Sequence, residues 1–155
     1  MSDDASAPFD AVHHVGITVT DLERSIAFWT RMLGRPERDR RMLDGPRLGS
    51  LLGYPVARID SCWFDLPGGV ALELVRYLDR DDAAYAPGTA HPGNVHVCLH
   101  VDEMDAAHAH ALACGAVAVS ERPIEVAAGP RAGTRLAYVR DPDGITIELV
   151  QAPPA

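Results

Sequence analysis

The sequence predicts an α+β fold built from two β-α-β-β-β modules, and three observations carry that expectation. First, residues 9–34 and 91–115 are imperfect copies of one segment. His13-His14-Val15-Gly16-Ile17-Thr18-Val19-Thr20-Asp21-Leu22 returns as Val95-His96-Val97-Cys98-Leu99-His100-Val101-Asp102-Glu103-Met104. Second, each half closes on an echo, Gly69-Val70-Ala71-Leu72-Glu73-Leu74-Val75 and then Gly144-Ile145-Thr146-Ile147-Glu148-Leu149-Val150. Third, strand-like and helix-like patterns follow one another in the same order within each half. Internal repetition fixes an architecture before any other reading. The expected division is a first module over 10–78, a linker over 79–92 and a second module over 93–151.

Residues 12–19 alternate in character and read as a strand. Thr20-Asp21-Leu22-Glu23 follows as a capping box, so a helix begins there. Leu22, Ile26, Trp29 and Leu33 then fall on one helical face, and Gly34 is a natural stop. Three β-like runs, near 48–52, 59–66 and 70–77, complete the first half, broken by Gly and Pro. The second half repeats the plan with a strand over 95–101, Asp102 as cap and a helix running to Cys114-Gly115. Its β-like runs lie near 116–121, 136–140 and 145–151. The ends, 1–8 and 152–155, are expected to fray.

Bulk properties narrow the function. A chain of 155 residues with 47% hydrophobic and 23% charged residues suits one globular domain, or two small modules sharing a core. A formal charge of −8 argues against nucleic acid or an anionic membrane as partner, because both select a basic face. No apolar stretch is long enough to span a bilayer. The first ten residues are polar and acidic and lack a secretory pattern. Three cysteines without metal-finger spacing suit a reducing cytoplasm better than a disulfide framework.

Strand side chains alternate between faces, and this alternation isolates the chemistry. Val15, Ile17 and Val19 share one face, with His14, Gly16 and Thr18 opposite. In the second half His96, Cys98 and His100 oppose Val97, Leu99 and Val101. Glu73 and Glu148 oppose leucine and isoleucine on the closing strands. A lone strand histidine or glutamate is ordinarily structural. Here the repeat aligns His14 with His96 and Glu73 with Glu148, and burying two carboxylates without a cation would cost several kcal/mol. The four together point to one divalent metal site.

These residues resemble the vicinal oxygen chelate superfamily, which includes glyoxalase I, methylmalonyl-CoA epimerase, extradiol dioxygenases and bleomycin-resistance proteins. The resemblance covers about 10–151. It is most specific over His13-His14-Val15-Gly16-Ile17-Thr18-Val19 and over Arg140-Asp141-Pro142-Asp143-Gly144-Ile145-Thr146-Ile147-Glu148-Leu149. It implies paired modules forming an open barrel-like cleft and a metal held by His14, Glu73, His96 and Glu148. A homodimer is also implied; whether one chain or two enclose the cleft stays open.

Two imidazoles and two carboxylates suit Zn, Ni, Co, Mn or Fe, and four protein ligands on an octahedral ion leave about two positions for substrate. That favours an isomerase, epimerase or lyase, which removes a proton next to a chelated carbonyl and passes through an enediolate. Glu148 or Glu73 is the expected base, with His100 as a possible second proton carrier. Arg47, Arg131 and Arg135, on two Gly- and Pro-containing loops, are candidate clamps for an anionic substrate group. His13 is expected to face away from His14, and His108 and His110 to pack or lie on the surface. Trp63, Phe64 and Tyr138 are further pocket candidates. A small sugar- or cyclitol-like hydroxy-ketone is the favoured substrate. A glyoxalase I-like lactoylglutathione lyase, an extradiol catechol dioxygenase and a drug-sequestering resistance protein are the alternatives.

Overall fold

A computed structural model describes residues 9–80 and 88–154. The expected frayed segment 1–8, the middle of the linker (81–87) and residue 155 lie outside the described residues. The first half runs β1 (His14–Thr18), α1 (Leu22–Leu33), β2 (Asp39–Gly45), α2 (Pro46–Leu52), β3 (Ala57–Asp65) and β4 (Ala71–Tyr77). The second runs β5 (Val97–His100), α3 (Met104–Ala113), β6 (Val117–Ala118), β7 (Ile124–Glu125), β8 (Arg135–Arg140) and β9 (Thr146–Gln151). Each half makes its own sheet. The orders are β1-β4-β3-β2 and β5-β9-β8-β6, with β7 also on β8. In both, the first strand lies parallel to the last while the other pairs are antiparallel. The topology is thus repeated as expected. The sheets do not join into the barrel that the family resemblance implied.

Helix α1 forms because its ends are satisfied locally. The Asp21 carboxylate accepts from the Arg24 amide at 3.1 Å, and Gly34 closes the helix in the left-handed region, its N–H donating to Arg31 O. The cap is therefore Asp21 rather than Thr20, whose side chain is engaged elsewhere. Leu22, Ser25, Phe28 and Trp29 form the buried face. The expected stripe missed Ser25 and Phe28, and Ile26 and Leu33 are only half-buried. Phe28 and Trp29 are fully buried with Cys62, Phe64, Leu72 and Leu74 of the sheet, each side chain contributing roughly 2–3 kcal/mol through removal from water.

Helix α3 begins at Met104, with Glu103 rather than Asp102 at the N-cap position and no side-chain cap bond. The Met104 amide donates instead to Gln151 Oε1 on β9 at 2.9 Å. A tertiary contact thus replaces the local cap. Met104, Ala111 and Cys114 join Val97, Val139, Ile147 and Leu149 in the same core cluster as α1, so both halves share one interior.

Three elements depart from the expected pattern, one of them the two-residue strand β7, which no expected run covers. The run at 48–52 is helical, not extended: Pro46 starts α2 and Gly53, at φ 78°, stops it. Gly49 is fixed by packing, since a Cβ there would stand 2.7 Å from Tyr54 O. Strand β2 was not anticipated, because Asp39-Arg40-Arg41-Met42-Leu43-Asp44-Gly45 is a charged edge strand with little apolar signal. All three cysteines are free. Among the described residues no helix is long and apolar enough to cross a membrane.

Candidate functional site

The parallel pairing of β1 with β4 sets Gly16 opposite Glu73, two residues beyond His14 on the same face. This brings His14 Nε2 to 3.5 Å from Glu73 Oε2. Pairing of β5 with β9 sets Cys98 opposite Glu148 in the same way, with His96 Nε2 2.9 Å from Glu148 Oε2. The imidazoles are 39% and 40% exposed and the carboxylates 17% and 15%, so the two pairs occupy matching environments. Both lie on the sheet face away from the shared core.

Adjacent ligands held at about 2.1 Å from one ion stand about 3 Å apart, so each His–Glu pair has the spacing of two neighbouring metal ligands. Nitrogen and oxygen donors also suit a borderline divalent ion. The residues present therefore fit a metal. Within one chain, however, they stand as two pairs and not as one quartet: among the described residues no three His, Cys, Asp or Glu side chains gather round a common point. The reason lies in the fold, for each pair belongs to a separate sheet.

Aromatic residues back both pairs at equivalent places. Trp63 pairs with Glu73 in register and its ring centroid lies 5.0 Å from that of His14. Tyr138 pairs with Glu148 and lies 5.5 Å from His96. Parity alone could not choose between Trp63 and Phe64; the register does, because Phe64 is fully buried beneath the sheet. Burial, then the Glu148 charge, raises the Tyr138 hydroxyl above its ordinary pKa. The Cys98 thiol is pushed up to about 11, first by burial, then by the Glu148 charge and a hydrogen bond to that carboxylate. Cys98 thus stands beside a candidate metal ligand.

His13 does not face away from His14. It sits just ahead of β1, its Nδ1 2.9 Å from His14 Nδ1, and its ring lies edge-on to His14. His100 lines a cavity of about 470 Å³ between the halves, together with His110. His110 Nε2 lies 3.2 and 3.3 Å from the carbonyls of Arg31 and Met32, and His108 is buried. Of the candidate arginines, Arg135 is engaged by Asp105 through two hydrogen bonds of 3.0 and 2.7 Å, which counts against a clamp. Arg131 is exposed and its charge reaches Cys98, on the Glu148 side of the site. Arg47 is exposed on α2.

A family model described as the glyoxalase/bleomycin resistance protein/dioxygenase superfamily matches residues 13–138. The chain is 31% identical over 148 residues to a 2-epi-5-epi-valiolone epimerase from Actinomyces sp., covering 92% of this chain and 80% of the relative. It is 28% identical over 168 residues to a lactoylglutathione lyase from Pseudomonas putida, covering 99% and 91%. Among solved structures, a glyoxalase family protein from Bacillus cereus superposes with a TM-score of 0.80 at 24% identity, covering 97% and 99% of the two chains.

Proposed function

The chain belongs to the glyoxalase/bleomycin resistance protein/dioxygenase superfamily, and from that premise we propose a metal-dependent epimerase or isomerase of a small, cyclitol- or sugar-like hydroxy-ketone. The observation that carries this reading is the twin His–Glu pairs at equivalent register and exposure. Similarity to an epimerase over most of both chains supports the substrate class. His14, Glu73, His96 and Glu148 would hold one divalent ion, which when bound supplies Lewis-acid stabilisation of negative charge growing on a substrate oxygen.

The chain's own groups do the rest. One of Glu148 and Glu73 takes the proton from the carbon beside the carbonyl, and the other gives a proton to the opposite face. Trp63 and Tyr138 keep the imidazoles oriented through ring contact. Arg131 lies near enough to the Glu148 half to steer an oxyanion. Two copies complete the site: the His14–Glu73 pair of one protomer meets the His96–Glu148 pair of its partner. The free outer edges of β1 and β5 are compatible with that meeting. The three free cysteines suit a cytoplasmic enzyme.

Elemental analysis, light scattering and solvent-deuterium exchange into a panel of hydroxy-ketones test the reading together. The expected result is one divalent ion per chain, a dimer, and deuterium at the carbon next to the carbonyl. Metal-free protein that gains no thermal stability from any divalent ion would overturn it. A second reading, lactoylglutathione lyase, is favoured by the Pseudomonas putida relative. It uses the same proton chemistry and is separated by assay with methylglyoxal and glutathione.

A further inference from the structure

The two junctions between the halves occupy equivalent places in the repeat but are built differently. Alignment of Glu73 with Glu148 sets Gly68 against Asp143. Alignment of His14 with His96 sets Ser25 against Ala107 and Phe28 against His110. At the first junction the Asp143 side chain, 6% exposed, reaches from the β8–β9 turn to the start of α1. It accepts from the Thr20 amide at 3.2 Å, Arg24 Nη2 at 2.8 Å, Ser25 Oγ at 3.2 Å and, at short range, the Thr20 hydroxyl. Three side chain–side chain hydrogen bonds between the halves, from Thr20, Arg24 and Ser25, converge on this carboxylate.

Thr20 continues the connection, because its carbonyl accepts from Arg76 on β4. A polar path thus runs from the Glu73 strand through Arg76, Thr20 and Asp143 to the Glu148 strand. Asp141 braces the turn, its Oδ1 accepting from the amides of Asp143 and Ile145 at 2.9 and 2.8 Å. At the second junction the carboxylate is missing, and the cavity of about 470 Å³ opens between Met32, Leu33, Gly68, Ala107 and His110. One junction is latched by a carboxylate. Its repeat-mate is bridged instead through backbone carbonyls, Arg31 Nη2 donating to Cys114 O at 2.9 Å and His110 Nε2 lying beside Arg31 O and Met32 O, with the cavity between them.

We propose that Asp143 is an inter-module positioning residue: by clamping Thr20, Arg24 and Ser25 it fixes how the His14–Glu73 half-site is set relative to the His96–Glu148 half-site. This rests on the metal reading of the preceding section. If two copies complete the site, the same clamp sets both composite sites by symmetry. A displacement of about 1 Å between ligand pairs is enough to impair a site of this kind.

The test uses full-length protein, cobalt(II) titrated as the metal probe and followed by visible absorbance, and amide hydrogen exchange across β1 and β9. Asp143→Ala is expected to weaken cobalt binding about tenfold or more and to speed exchange in both strands. Asp143→Asn keeps an oxygen acceptor for Thr20 and Ser25, and should recover most of the affinity. Cobalt affinity within about twofold of wild type in Asp143→Ala overturns the proposal, whatever its thermal stability. Should that variant not fold, the Arg24→Gln, Ser25→Ala pair takes its place, with the same criterion. Wild-type protein that binds no cobalt would defeat the metal reading. Exchange then decides alone: faster exchange in both strands upholds the latch, and unchanged exchange overturns it.

Discussion

The two halves share a topology and a His–Glu pair, yet differ in almost everything around that pair. Glu73 faces Gly16, whereas Glu148 faces Cys98. Trp63 stands where the second half has Tyr138, and fully buried Phe28 where it has exposed His110. Gly68 replaces Asp143. The first half therefore supplies bulk, with an indole and a filled junction, while the second supplies thiol, hydroxyl and imidazole groups. The spacing of the His–Glu pair is common to both halves, while the residues that flank it differ.

The sharpest way to break the comparison is at the pair itself. Glu73→Gln and Glu148→Gln should each lower metal content in dialysed protein and cut turnover by about 100- to 1,000-fold, on the order of 3–4 kcal/mol in the barrier. Elemental analysis and deuterium-exchange rates read both effects. An effect confined to one of them would show that the pairs, though alike in exposure, are not alike in function.

Next in size is the junction. Phe28→Ala removes a fully buried ring and should cost about 3–5 kcal/mol, a fall in thermal midpoint on the order of 10 °C for a chain of this length. The repeat-mate His110→Ala loses an exposed imidazole and its contacts to two backbone carbonyls, and should cost about 1 kcal/mol or less. Differential scanning calorimetry of the two variants measures the asymmetry directly. Equal losses would mean the open cavity is as tightly bound into the core as its filled counterpart.

These contrasts also mark what was legible beforehand. The repeat disclosed both modules and both His–Glu pairs, because strand parity and duplicated spacing are local properties of the chain. α2 was misread as a strand, since a five-residue apolar run has no period long enough to separate helix from strand. β2 carries four charges in seven residues, and its two adjacent apolar residues, Met42 and Leu43, make no alternating pattern. Asp143 figures only within the segment 140–149 that carries the family resemblance: its partners lie 118–123 residues away, and no periodicity reports such a contact. His13 was assigned by parity to the wrong side because it stands outside β1, where alternation no longer holds.

Asp141 offers a smaller and pH-dependent contrast with Leu66, its repeat-mate. Burial lifts the Asp141 carboxyl to about 6 despite two amide donors. Since the folded value lies above the unfolded one, the folded protein binds the proton more tightly, and stability falls as pH rises from about 4 to 6. Asp141→Asn removes the ionisation while keeping an oxygen for both amides. The variant should lose this slope and approach or exceed wild-type stability at pH 7, by at most about 3 kcal/mol. Denaturant midpoints at pH 4, 5, 6 and 7 test it; an unchanged slope would locate the titration elsewhere.

The finest contrast is Cys98 against Gly16. Cys98 is exposed as a residue, yet its thiol is held up to about 11 by partial burial and by Glu148. At neutral pH little thiolate is present, so iodoacetamide should alkylate Cys98 slowly in metal-free protein. Glu148→Gln removes both the carboxylate charge and the charged acceptor, and should speed alkylation several-fold, about 1 kcal/mol or less. Gly16→Cys supplies the matching thiol, for a Cβ there would meet Glu73 Oε2 at 3.9 Å, an ordinary contact. If that new thiol is equally slow, Glu73 and Glu148 impose the same field and the halves differ only in which side chain was retained. If it reacts faster, the restraint belongs to the second half's own packing, and the two carboxylates work in different surroundings.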